Sequence, residues 1–197
     1  IIFFGTPSFA VTSLDKINSK FIVDYVVTSP DKHSGRGRKL NESDVKKYTL
    51  KNKIKTLQPS NLMDEEFINQ IKHLKPDLII VVAFRKLPTE VFNIPKHGTI
   101  NLHASLLPNY RGAAPINWCL MNGEIKTGVT TFYINEKIDQ GDILLQKEIM
   151  IKNEDDFGSL YTKLSEVGAE LVVKTVEGIF NNSLKPIKQN FIDDLKL

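Results

Sequence analysis

Apolar residues fall into two kinds of run along this chain. Ile1–Phe4, Phe21–Thr28 and Thr99–His103 are short blocks rich in β-branched and aromatic residues, and they predict strands. Asp77–Phe84 is almost continuously apolar, as a parallel strand covered on both faces should be. Between these blocks the apolar spacing becomes helical. Phe9, Val11, Leu14 and Ile17 predict a helix over Ser8–Asn18. Further helices are expected over Ser43–Asn52 and Asp64–Leu74, with a short strand at Lys55–Leu57 between them. Ala113–Met121 reads as helical. Gly128–Ile134 and Ile143–Ile151 flank a polar loop and suit an antiparallel pair. A long amphipathic helix over Asp156–Phe180 carries Leu160, Leu164, Val167, Leu171, Val172 and Val176 on its apolar side, with Asp155 or Asp156 as its cap. Ser29–Asn41 lacks periodicity and contains Gly35 and Gly37, so a mobile loop is expected there. The alternation of strands and helices predicts an α/β chain built on a doubly wound, mostly parallel sheet with helices on both faces.

Composition narrows this only slightly. The 197 residues suffice for one sizeable domain, and 41% hydrophobic with 25% charged residues is ordinary for a soluble protein. No apolar run approaches the ~20 residues of a membrane helix, and no signal-peptide pattern is present. The start at Ile1 rather than Met points to a short missing N-terminal piece. Cys119 is the single cysteine, so no internal disulfide forms, and a reducing, cytoplasmic compartment fits. Net charge is +3, yet Asp31–Lys55 holds nine Lys/Arg against three Asp/Glu. That stretch is either a solvated surface or a patch for an anionic partner.

Candidate chemistry concentrates in Asn101-Leu102-His103-Ala104-Ser105-Leu106-Leu107-Pro108-Asn109-Tyr110-Arg111-Gly112. Asn101 and His103 alternate on a strand, so their side chains share one face. The Pro-containing loop follows at once, which is how a sheet offers catalytic groups at a strand's carboxyl end. Ile138-Asp139-Gln140-Gly141-Asp142 adds a carboxylate in a Gly-containing loop, with Asp139 ranked above Asp142. An amide, an imidazole and a carboxylate together suit acyl transfer: a donor for a developing oxyanion, a proton carrier, and a charge to steady it. Gly5-Thr6-Pro7-Ser8 matches no phosphate-binding fingerprint and reads as a structural turn. The four histidines lack metal-site spacing, so no metal is expected. Ser105 reads as a loop-stabilising hydroxyl.

With these residues in view, Asn101–Gly112 and its continuation Ala113-Ala114-Pro115-Ile116-Asn117-Trp118 resemble the formyltransferase domain of tetrahydrofolate-dependent formyl-transfer enzymes. Phe4-Gly5-Thr6-Pro7, Ser29-Pro30-Asp31, Gly35-Arg36-Gly37-Arg38-Lys39-Leu40, Thr127-Gly128-Val129-Thr130 and Ile138–Asp142 match in order along the chain. The resemblance implies a Rossmann-like domain over residues 1–180, with 181–197 a linker toward a C-terminal domain absent from this chain. It implies 10-formyltetrahydrofolate as the formyl donor. Within the family, the pattern is closest to enzymes that formylate the α-amino group of initiator methionyl-tRNA. Carried over by position, Asn101, His103 and Asp139 form the catalytic trio. Ser105, Leu106, Leu107 and Pro108 form the folate-binding loop, with Phe84 and Ile138 beside the folate. Arg36, Arg38 and Lys39 contact tRNA. Phe84-Arg85-Lys86-Leu87-Pro88 departs from the aromatic-Gly segment common in the family. The trio equally suits a small-amine acceptor, such as glycinamide ribonucleotide or an amino sugar nucleotide. A 10-formyltetrahydrofolate hydrolase and a non-catalytic tRNA- or folate-binding module are rival readings of the same residues.

Overall fold

A computed structural model of the chain describes residues 1–34 and 39–189. The chain divides into two units, Ile1–Thr99 and Ile100–Leu197.

In the first unit, β1 (Ile2–Gly5), β2 (Tyr25–Val27), β5 (Lys55–Leu57) and β6 (Ile79–Val82) run parallel in the order β5-β2-β1-β6. β1 and β6 are buried along their whole length, which explains their unbroken apolar sequence. The strand order reverses direction at β1, so the carboxyl ends of β1 and β6 bound a topological switch point, where open α/β sheets bind ligands. Helix α1 (Ser8–Asn18) has the predicted bounds and buries Phe9, Ala10, Ser13, Leu14 and Ile17. Val11, expected in that core, is only half-buried. Helix α2 (Asp44–Lys51) is capped by Ser43, whose hydroxyl accepts from the Lys46 N–H at 3.0 Å. Helix α3 (Glu65–Leu74) is capped by Asp64, which accepts from the Glu66 N–H at 3.0 Å.

Several elements differ from expectation. The strand expected over Phe21–Thr28 shrinks to β2, because the Phe21 N–H still donates to the Ile17 carbonyl at 2.8 Å as the chain leaves α1. Ser29–Asn41, expected as an irregular loop, contains β3 (Lys32–Ser34) and β4 (Lys39–Asn41), paired antiparallel with Lys32 opposite Asn41. The arms of this hairpin carry no apolar alternation in the sequence to announce it. Its root is fixed where the Asp31 carboxylate accepts from Lys46 and from Gln58 Nε2, the latter at 2.7 Å. These contacts, with Lys46 first, hold the Asp31 carboxyl below its ordinary value. A short helix, α4 (Thr89–Phe92), follows β6.

β7 (Thr99–His103), in the second unit from Ile100 onward, pairs antiparallel with β8 (Lys126–Tyr133), and β8 in turn with β9 (Ile143–Met150). Helix α5 spans Pro115–Met121 and buries Cys119 completely, as a packed helix face should. Helix α6 (Phe157–Phe180) lies against these strands. Gly168 of α6 lets Leu102 of β7 approach so closely that an added Cβ would fall 2.7 Å from its Cδ2. Leu102 therefore faces the helix, and alternation turns Asn101 and His103 to the other face of β7. The Thr131 and Thr175 hydroxyls bond at 2.7 Å between β8 and α6.

Asp156, not Asp155, caps α6. It forms a capping box with Ser159. Asp155 instead binds Lys163 Nζ at 2.8 Å and the Lys152 N–H at 2.9 Å. These partners, Lys163 foremost, lower its carboxyl to about 2. A carboxyl depressed on folding contributes stability above its unfolded value, ~4, and that contribution vanishes as pH falls toward 2. Acid titration followed by circular dichroism should therefore show Asp155→Asn less stable than the parent at pH 7, with the gap closing between pH 4 and 2. A gap constant across that window would refute the assignment.

Part of the segment after α6 packs onto the second unit. Ile187 and Ile143 exchange two backbone hydrogen bonds, each 2.8 Å, and Gln189 is buried.

Candidate active site

His103 ends β7 with 7% of its surface exposed. Its Nε2 lies 2.7 Å from the Tyr110 carbonyl oxygen. A carbonyl can only accept, so Nε2 carries a proton and Nδ1 is the nitrogen left to face Asp139. Nδ1 lies 3.6 Å from Asp139 Oδ2. That exceeds hydrogen-bond length, so the pair acts as charge beside ring rather than as a tight bond. Asn101 sits one alternation earlier, opposite Phe132 of β8. It is half-buried, and its amide takes no hydrogen bond among the described residues. The sequence thus brings an imidazole and a carboxylate together, with an uncommitted amide on the same strand face.

Local structure positions Asp139 closely. Between β8 and β9 the register shifts at Thr131/Phe132, and the Tyr133 N–H closes the loop onto the Asp142 carbonyl at 2.9 Å. Such a shift re-aims side chains at a strand end. Asp139 adopts φ 52°, a left-handed conformation that Asp tolerates better than most residues. Its Oδ2 accepts from the Gly112 N–H at 2.8 Å, and its carbonyl accepts from Arg111 Nε at 3.1 Å. Burial pushes the Arg111 guanidinium below its ordinary value, and the Asp139 charge opposes that.

The loop after His103 is built from within. Ser105 donates to the Asn109 carbonyl at 2.6 Å, the stabilising role expected of it. Thr130 Oγ1 donates to the Ser105 carbonyl at 2.7 Å and accepts from the Leu107 N–H at 3.1 Å. Gln146 Nε2 donates to the Leu107 carbonyl at 2.8 Å. Leu107 is buried and both its backbone groups are engaged, so it supports the loop and offers its neighbours. Leu106 and Pro108, across a cis peptide bond from Leu107, are half-buried, and Ile138 is 57% exposed. Phe84 belongs to the first unit. It lies beyond the carboxyl end of β6, edge-on to Phe4 at 5.5 Å, at the switch point. Lys39 begins β4, while Arg36 and Arg38 lie outside the described residues. Sequence reasoning passed over Tyr110, Arg111, Thr130, Gln146 and Gln189. The first two stand inside the quoted dodecapeptide, but no pattern marks the last in its polar tail.

The chain is similar to known proteins in sequence and in fold. A family model described as formyl transferase matches residues 1–176. The methionyl-tRNA formyltransferase of Flavobacterium psychrophilum is 49% identical over 100% of this chain, which covers 63% of that protein. That of Thermodesulfovibrio yellowstonii is 52% identical over 96% of the chain and 62% of its own length. The chain thus spans a little over three-fifths of these curated relatives. Among solved structures, phosphoribosylglycinamide formyltransferase from Streptococcus pneumoniae superposes with a TM-score of 0.77 at 16% identity, covering 91% of this chain and 97% of that one. An N-formyltransferase from Helicobacter canadensis, solved with folinic acid and dTDP-3-aminofucose, gives 0.73 at 24% identity over 100% and 69%. These likenesses carry the α/β fold, and the family model carries the assignment: the chain belongs to the formyl transferase family.

Proposed function

We propose that this chain transfers the formyl group of 10-formyltetrahydrofolate to the α-amino group of initiator methionyl-tRNA. The observation that carries the chemistry is His103, held by the Tyr110 carbonyl on one nitrogen and facing Asp139 with the other. The acceptor is supported by identity near one-half with methionyl-tRNA formyltransferases across the whole chain. The neutral amine attacks the formyl carbon and forms a C–N bond. The carbonyl oxygen becomes an oxyanion. Collapse breaks the bond to N10 of the folate, which receives a proton while the amine loses one. The Asn101 amide and a proton on His103 Nδ1 are the donors available to the oxyanion. Asp139 balances the charge on the ring through the reaction. Leu106, Pro108 and Ile138 supply apolar surface for the folate. No residue in this scheme calls for a metal.

The test is transfer of labelled formyl from 10-formyltetrahydrofolate, with initiator Met-tRNA, glycinamide ribonucleotide or no acceptor. Label on Met-tRNA alone supports the proposal. Label on the small amine, or formate released without acceptor, overturns it. Acceptor affinity should also fall with salt if Arg36, Arg38 and Lys39 meet phosphates. Replacing Arg36 and Arg38 together by alanine should flatten the log–log salt slope by roughly 2. An unchanged slope would remove this loop from the tRNA contact.

A further inference from the structure

Gln189 is 6% exposed although it lies in a polar segment after α6. Its Nε2 donates to the Asp139 carbonyl at 3.0 Å and to the Gly141 carbonyl at 2.8 Å. Its Oε1 accepts from Arg111 Nη2 at 2.6 Å. Arg111 Nε also reaches the Asp139 carbonyl, at 3.1 Å. One carbonyl thus takes two donors, on the residue whose backbone is left-handed and whose carboxylate faces His103. A tail pinned only for stability would need no more than the Ile187–Ile143 backbone pair. The buried amide instead spends both donors on the two carbonyls flanking Gln140.

We infer that Gln189 is a positioning residue: with Arg111 it fixes the Asp139 backbone so that the carboxylate stays against His103 Nδ1. The inference rests on the trio being the reaction centre. Its chemical logic is preorganisation, since displacement of a catalytic group by about 1 Å can cost as much as 10²-fold in rate. The same contacts make the segment after α6 part of the site.

Two variants of the whole chain test it. Gln189→Met keeps the length and removes all three hydrogen bonds. Gln189→Glu keeps the shape and the Arg111 partner while withdrawing both donors. Each should lower kcat about tenfold, leave KM for 10-formyltetrahydrofolate within twofold, and move the His103 ring-nitrogen NMR signals at fixed pH. Unmoved His103 signals in both variants overturn the proposal, even if thermal stability falls. So does a KM rise without a kcat loss. If the parent transfers no formyl to Met-tRNA, or Asp139→Asn is as fast as the parent, the reading of the reaction fails instead. The His103 signals then still decide whether Gln189 positions Asp139.

Discussion

Replacing His103 with alanine is expected to slow formyl transfer by about 10²–10³-fold, the usual consequence of losing one oxyanion donor in a preorganised site. The loss should appear in kcat, because the interaction forms only as charge develops on the formyl oxygen. His103→Ala also leaves the Tyr110 carbonyl without its imidazole partner, which costs about 1–3 kcal/mol where such a group is buried. His103→Gln separates the two effects. Its amide can still donate toward Tyr110 and restore stability, but it offers no imidazole to Asp139, so turnover should stay low. Asn101→Ala should reduce the rate on a similar scale with little loss of stability, because that amide has no internal partner among the described residues. Single-turnover rates measured well below each variant's Tm check all three. Near-parental turnover in both His103→Ala and Asn101→Ala would discard the trio.

The parts of this site that were legible in the sequence are those set by short-range pattern. β7 and α1 have their predicted bounds, because β-branched spacing, a flanking Gly98 and a Pro7 start are local signals. The N-x-H arrangement needed only strand alternation to be seen. Asp139 could be named from its loop, yet its approach to His103 depends on a register shift between β8 and β9 that side-chain alternation does not encode. The β3–β4 hairpin was missed because its arms, Lys-His-Ser and Lys-Leu-Asn, carry no period-two apolar face. α4 is four residues long, shorter than any periodicity can register. Gln189 was illegible for a different reason. Two of its three partners are backbone carbonyls 48 and 50 residues away, and a carbonyl has the same chemistry whatever its side chain. The polar tail looked solvated because both acceptors of the Gln189 amide are main chain.

Gly141→Ala is expected to destabilise the second unit by about 3 kcal/mol or more, at the upper end of overpacking losses. A Cβ at this position would stand 1.6 Å from the Tyr133 carbonyl oxygen and 2.8 Å from its carbonyl carbon. Those atoms are backbone at the end of β8, so no side-chain rotamer can relieve the overlap. The strand or the loop must move. The loop is the weaker partner, and it holds Asp139, whose carbonyl shares the Gln189 amide with that of Gly141. Loss of stability should therefore come with a fall in kcat beyond that explained by unfolded protein. Gly112→Ala is the informative contrast. Gly112 has φ +84° and nothing within 4 Å of an added Cβ. Its cost is conformational alone, about 1–2 kcal/mol, and its N–H can still reach Asp139 Oδ2. Denaturant unfolding of the two variants, with active-site titration of the folded fraction, separates them. Equal destabilisation would mean that crowding against Tyr133 is not what demands glycine at 141, and that the loop has room the close approach denies.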